Sequence, residues 1–272
     1  MHYPVIAFIG AGNMSSTIIA GLIKSGYPAE KIIAANPGVE KRQLLSDKFA
    51  IYTTEDNKQA VEKADVVVLA VKPYMMKKVC KEINTTLSSQ LIISVAAGIT
   101  IASIQKHLEK NLCVIRAMPN TPCLISKGVT GLFSDQAATR VNRDFVSSLF
   151  ENIGKVVWLD LEQQMDIVTA LSGSGPAYYF YLTEALIKAG IELGLDAEIS
   201  RLLVTQTAVG AIAMLNNEPI QTAAMLRKAV TSPNGTTEAA ITVFDDNKFM
   251  QVITNAVSSA ANRGHELSKE FE

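Results

Sequence analysis

Val5-Ile6-Ala7-Phe8-Ile9-Gly10-Ala11-Gly12-Asn13-Met14-Ser15 is the stretch that decides the fold. Val5–Ile9 reads as a buried strand, a glycine turn follows at once, and from Met14 apolar residues recur at helical spacing to Ser25. A strand, a G-x-G turn and a helix start, in that order, raise the G-x-G-x-x-G/A spacing above a chance match. Gly10 is placed to make the tight turn and Gly12 to let the backbone approach a pyrophosphate at the helix N-terminus. Ser15 replaces the third glycine or alanine and is small enough for helix and strand to pack.

Working outward, short β-rich runs alternate with helical patterns up to about Leu161. Strands are expected at Val5–Ile9, Ile32–Ala35, Ile51–Thr53, Val66–Val71, Leu91–Val95, Cys113–Ala117, Val129–Phe133 and Val156–Leu159. Helices are expected between them at Met14–Ser25, Val39–Phe49, Lys58–Lys63, Met75–Leu87, Ile101–Glu109 and Ala138–Asn152. This alternation predicts an α/β domain, a Rossmann-like doubly wound parallel sheet, over residues 1–161. From residue 162 to 272, β-branched runs give way to helical spacing in Ala177–Leu193, Glu198–Asn216, Thr222–Val230 and Glu238–Phe271. This half reads as an all-helical domain. The stretch holding Val204, Ala208, Gly210, Ala211, Met214 and Leu215 carries almost no charge, so a helix there needs cover on most sides; a second subunit is the expected source.

The 272 residues suit one large or two modest domains, and 48% hydrophobic against 19% charged residues excludes a disordered chain. A net charge of −1 argues against a nucleic-acid binder. Lys and Arg outnumber Asp and Glu by 18 to 13 over residues 1–160 and are outnumbered 7 to 13 over 161–272, which suits a small polyanion or simply scattered surface charge. Cys80, Cys113 and Cys123 follow no metal-ligand spacing and read as buried thiols of a reducing compartment; no metal site is expected. The longest wholly apolar strand-like run, Val66–Val71, is far too short to span a membrane, and Val5–Ile9 enters a glycine turn instead of a signal-peptide core. The expectation is a cytoplasmic protein.

The end of the second strand bears on the choice of nicotinamide cofactor. An acidic residue there bonds the adenine ribose 2′-hydroxyl, whereas this strand ends Ala34-Ala35-Asn36-Pro37-Gly38, with Lys41 and Arg42 close behind. NADPH is favoured, with NADH also open. Ala70-Val71-Lys72-Pro73 closes the fourth strand at the edge where open sheets bind ligands; Lys72 is placed to face the cofactor or is simply a surface lysine. Ser172-Gly173-Ser174-Gly175-Pro176-Ala177 precedes one long helix, and Thr231-Ser232-Pro233-Asn234-Gly235-Thr236-Thr237 leads into another. Backbone N–H groups at that second start suit a carboxylate; N-capping by Thr236 or Thr237 explains the same residues equally well. His2, His107 and His265 read as solvated surface histidines, and no acid–base pair stands out. Hydride transfer to an activated imine needs little acid catalysis from the protein.

Over nearly its whole length the chain resembles the pyrroline-5-carboxylate reductase family. The resemblance rests on Phe8-Ile9-Gly10-Ala11-Gly12-Asn13-Met14, Ala70-Val71-Lys72-Pro73, Met118-Pro119-Asn120-Thr121-Pro122, Leu171–Tyr178 and Val230–Thr237. It implies NAD(P)H-dependent reduction of L-1-pyrroline-5-carboxylate to L-proline. It also implies a helical dimerisation domain that completes the partner's site, in a homodimer or a ring of dimers. By motif match, Ile9, Gly10, Ala11, Gly12, Asn13 and Met14, with Ala70, Val71, Lys72 and Pro73, would bind the dinucleotide, and Asn57 would reach the adenosine ribose. Ser232, Pro233, Gly235, Thr236 and Thr237 would hold substrate, and Thr169 matches a candidate proton donor near the imine nitrogen. The family usually reads Ser-Pro-Gly-Gly where this chain has Ser232-Pro233-Asn234-Gly235; asparagine tolerates the left-handed conformation, so the loop shape is expected to survive.

Overall fold

The computed structural model describes residues 3–217 and 220–270; His2 and Phe271, named above, lie outside the described residues. The chain runs β1 (Ile6–Ile9), α1 (Asn13–Lys24), β2 (Ile32–Ala35), α2 (Val39–Phe49), β3 (Tyr52–Thr54), α3 (Asn57–Glu62), β4 (Val66–Leu69), α4 (Met76–Ile83), β5 (Leu91–Ser94), α5 (Ile101–Leu108), β6 (Val114–Met118), β7 (Gly128–Ser134), α6 (Arg140–Glu151) and β8 (Gly154–Trp158). Then come α7 (Gln164–Val168), a π-helical turn at Thr169–Gly173, α8 (Gly175–Glu192), α9 (Ala197–Asn217), α10 (Ala223–Ala229), α11 (Thr236–Asp246) and α12 (Phe249–Glu270).

The eight strands form one sheet in the order β3-β2-β1-β4-β5-β6-β7-β8. β1 pairs in parallel with both β2 and β4, so the strand order reverses beside it and the crevice outside its C-terminal end is the ligand position of such folds. β1, β2 and β4 are buried throughout, the signature of strands covered on both faces. Alternate side chains divide between two cores. Ala7, Ile9, Val67 and Leu69 join Val79, Ile83, Ile104 and Leu108 of α4 and α5 on one face. Ile6, Phe8, Val66 and Val68 meet Ile18, Leu22, Leu45 and Phe150 of α1, α2 and α6 on the other.

Three local expectations are corrected. β6 and β7 are antiparallel, because the chain returns through a short 3-10 turn at Thr121–Ile125 without a crossover helix. The single helix expected over Glu238–Phe271 is broken between α11 and α12, where Lys248 takes a left-handed φ of 54°. His107 is buried beside Ser103 in α5 rather than solvated, since it shares the inward face of Ile104 and Leu108.

Packing divides the chain into two compact units, Met1–Ser174 with Ser259–Glu272, and Gly175–Ser258. The change in residue pattern at 162 therefore precedes the break in packing, because α7 and the π turn pack with the sheet: Met165 and Ala170 are buried, and Val168 touches Gly131 of β7. In the second unit only Gly175 and Ser200 are buried among the described residues. Tyr179, Phe180, Leu193, Leu202, Val209 and Met214 are all more than half exposed. α9 is long and apolar enough, by length and composition, to cross a membrane. A unit with so little of its apolar surface removed from water lacks a core of its own.

The β7–β8 edge depends on two facing glycines, Gly128 and Gly154; a Cβ on Gly154 would overlap the Gly128 carbonyl. Gly154→Ala is expected to lower the melting temperature by roughly 5–10 °C, read by circular dichroism, as the strands are forced apart.

Candidate active site

The glycine turn after β1 is fixed by its neighbours. Gly10 has φ 105°, its N–H donates to Ala35 O at 2.9 Å, and a Cβ there would lie 2.7 Å from Ala70 O. Both the backbone angle and the space demand glycine. At Gly12 a Cβ would meet nothing within 4 Å, so the backbone here is open to a ligand. Gly12 is the N-cap of α1 with no side-chain hydrogen bond, leaving the first N–H groups of Asn13, Met14 and Ser15 to an incoming group. Ser15 is fully buried and its hydroxyl donates to Gly10 O at 2.5 Å, which stiffens the turn.

The helix starts divide into capped and uncapped ones. α3, α5, α6 and α10 are closed by the side chains of Asp56, Thr100, Thr139 and Thr222. α1, α2 and α11 start on Gly12, Gly38 and Gly235 without a side-chain cap. The first two lie beside the C-terminal ends of β1 and β2, at the edge where open α/β sheets bind dinucleotides. Asn36 Oδ1 accepts from Gly38 N–H at 2.9 Å, shaping the turn into α2. Arg42 donates to the carbonyls of Asn36 and Pro37 at 2.7 and 2.9 Å, holding a guanidinium under that turn. Glu55 stands 3.6 Å from the same guanidinium. Sequence reading picked out Asn36 and Arg42 but not their joint loop, because the bond depends on how α2 returns over β2.

Ala70, Val71, Lys72 and Pro73 follow β4 on this same edge; Ala70 N–H donates to Ile9 O at 2.9 Å, and Lys72 is exposed at the start of a 3-10 turn. Asn57 begins α3, and its amide donates to Glu82 at 3.1 Å on neighbouring α4. The open glycines, the uncapped helix starts and the absence of a carboxylate at the end of β2 fit a dinucleotide carrying a 2′-phosphate.

Thr169 begins the π turn, with Thr169 O accepting from Ser174 N–H at 2.8 Å across five residues. Its hydroxyl donates to Met165 O at 2.8 Å. Because a carbonyl only accepts, the threonine proton is committed to the helix and the oxygen lone pairs remain for a ligand's donor. The π turn was missed in the sequence, although buried Met165 and Ala170 stand five residues apart, the spacing such a turn needs.

In the second unit, Asn234 has φ 57°, so the left-handed geometry survives the replacement of glycine. Glu238 accepts from Asn234 N–H at 2.7 Å. Neither Thr236 nor Thr237 caps α11, because the N-cap is Gly235, so the first helical N–H groups have no side-chain partner. The loop segment Ser232–Pro233 is exposed.

Comparison with known proteins agrees with this architecture. The family model described as pyrroline-5-carboxylate reductase dimerisation matches residues 162–267, and that described as NADP oxidoreductase, coenzyme F420-dependent, matches residues 5–98. A pyrroline-5-carboxylate reductase of Pseudomonas aeruginosa is 45% identical over 272 residues, covering 100% of this chain and 99% of that protein. The structure of a pyrroline-5-carboxylate reductase from Coxiella burnetii superposes with a TM-score of 0.91 at 42% identity, covering 98% of this chain and 99% of that one. A Plasmodium falciparum pyrroline carboxylate reductase with NADP bound superposes at 0.89 with 29% identity, covering 98% and 99%. With a relative this similar matched from end to end, the chain belongs to the pyrroline-5-carboxylate reductase family.

Proposed function

We propose that this protein reduces L-1-pyrroline-5-carboxylate to L-proline, the last step of proline biosynthesis, with NADPH as the preferred donor and NADH as a second one. The observation that carries the reading is the open start of α11. The Ser232-Pro233-Asn234-Gly235-Thr236-Thr237 segment keeps its left-handed turn and leaves uncapped N–H groups at the positive end of an eleven-residue helix. That arrangement suits the substrate carboxylate.

The dinucleotide is assigned to Ile9–Met14, Asn36, Asn57 and Ala70–Pro73, with its pyrophosphate on the α1 N-terminus and a 2′-phosphate over the Arg42-braced turn. When bound, the nicotinamide supplies a hydride. A substrate nitrogen already protonated would take up the C=N electron pair on reduction and would need no acid from the protein. Thr169 is assigned as acceptor for this iminium N–H, because its own proton is held by Met165 O. This revises the proton-donor role read from the resemblance and agrees with the lack of an acid–base pair in the sequence.

Full-length kinship to a family with a dimerisation domain supports a second copy as the cover for α8 and α9, in a homodimer or a ring of dimers. The three cysteines are free, as suits a reducing cytoplasm.

Purified protein given pyrroline-5-carboxylate is expected to oxidise NADPH faster than NADH with proline as product; folded, dimeric protein that turns over neither would sink the reading. Arg42→Ala is expected to raise the KM for NADPH about tenfold and leave that for NADH within about twofold, a loss of roughly 1.4 kcal/mol at the 2′-phosphate. Thr169→Val is expected to lower kcat by about 10–100-fold with the KM for NADPH unchanged, measured by steady-state kinetics.

A further inference from the structure

α7 carries Thr169 at its end, yet it is only five residues long and contains the β-branched pair Ile167 and Val168. A helix this short does not hold its own orientation, so its neighbours must. At its start, Glu162 accepts from Arg116 of β6 at 2.9 Å and from the N–H of Ile101, the first residue of α5, at 2.8 Å. Arg116 is 4% exposed, so this tie is buried on one side. One turn on, the Nδ1 of His265 in α12 lies 3.8 Å from Asp166 Oδ2. Two glycines lie at this approach, where a Cβ would be in ordinary contact at Gly264 and in tight contact at Gly98. A Cβ on Gly264 would lie 3.4 Å from Asp166 Oδ1, and one on Gly98, where φ is 70°, would lie 3.2 Å from Leu267 Cβ.

We propose that Asp166 and His265 are positioning residues, which clamp the tail of α12 onto α7 and thereby fix the orientation of Thr169 toward the imine. This rests on the assignment of Thr169 given above. Asp166 and Thr169 are three residues apart and share a helix face, so a rotation of α7 that loosened one would swing the other.

The Asp166 carboxyl sits where burial works against its charged form and His265 works for it. Burial pushes it above the usual carboxylate range, outweighing the attraction of Arg116 and His265, while Glu162 pushes the same way. A carboxyl raised in the fold favours the native state most below its unfolded value, near 4, and that contribution is lost as pH rises through the folded value. At neutral pH the ionised group is therefore a cost to the fold, retained beside the residue that faces substrate.

The test is carried out on the full-length enzyme with His265→Ala, His265→Arg, Asp166→Asn, Thr169→Val and the double variant Thr169→Val/His265→Ala. Asp166→Asn is expected to lower kcat about three- to tenfold while its melting temperature at pH 8 equals or exceeds that of the wild type. His265→Ala is expected to show a similar loss in kcat with the KM for NADPH within about twofold, and His265→Arg to recover at least half of the rate. In the Thr169→Val background, His265→Ala should cause no further loss, since the clamp acts through that hydroxyl. Unchanged kcat in His265→Ala, rate losses that track melting temperature, or independent multiplicative losses in the double variant would each overturn the clamp. If Thr169→Val itself runs at the wild-type rate, the Thr169 assignment falls and the clamp falls with it. An impaired Thr169→Val beside a fully active His265→Ala removes the clamp alone.

Discussion

The nucleotide-binding unit turns on the contact between Gly10 and the end of β4. With φ 105° and the Ala70 carbonyl where a Cβ would be, Gly10 lets β1 finish between its two parallel neighbours and the chain turn directly into α1. Any side chain there would strain the turn and push Ala70 outward, widening the crevice at the strand-order reversal. The bond from Ser15 to Gly10 O then ties the first turn of α1 back to that point. An uncapped helix start, the kind that suits an anion, is consequently a by-product of how the sheet closes.

The second unit follows the opposite logic. Its helices are long and apolar, yet almost all of their side chains are exposed in a single chain. α8 and α9 are packed on one another through Gly190, where a Cβ would lie 2.9 Å from Ser200 Oγ, while most of their other side chains are exposed. A unit of this kind is stable only when something else removes that surface from water. With a second copy as the proposed cover, folding and assembly become one process, and the proposed substrate segment before α11 depends on both.

The proposed chemistry asks little of the protein, because a protonated imine is already activated toward hydride. A protonated imine needs a hydride, a place for its carboxylate and an acceptor for its N–H. In the proposed reading, the uncapped N–H groups of α11 serve the carboxylate and the Thr169 oxygen serves the N–H, neither of them a titrating group. Of the described histidines, His107 is buried in α5 and His265 faces Asp166.

Much of this was legible in the sequence. Local rules made the eight strands, the glycine turn and the left-handed Asn234 legible, because short β-branched apolar runs, backbone angle and helix-start chemistry are properties of a few adjacent residues. Family motifs carried the site assignment further than spacing alone. Only the tertiary structure decided the antiparallel return of β7, the burial of His107, the π turn at Thr169 and the direction of the Thr169 proton. It also decided that Thr236 and Thr237 do not cap their own helix and that Asp166 meets His265 across about a hundred residues. Each depends on which distant surface an element packs against, and that is set by the whole chain at once rather than by any local run of residues.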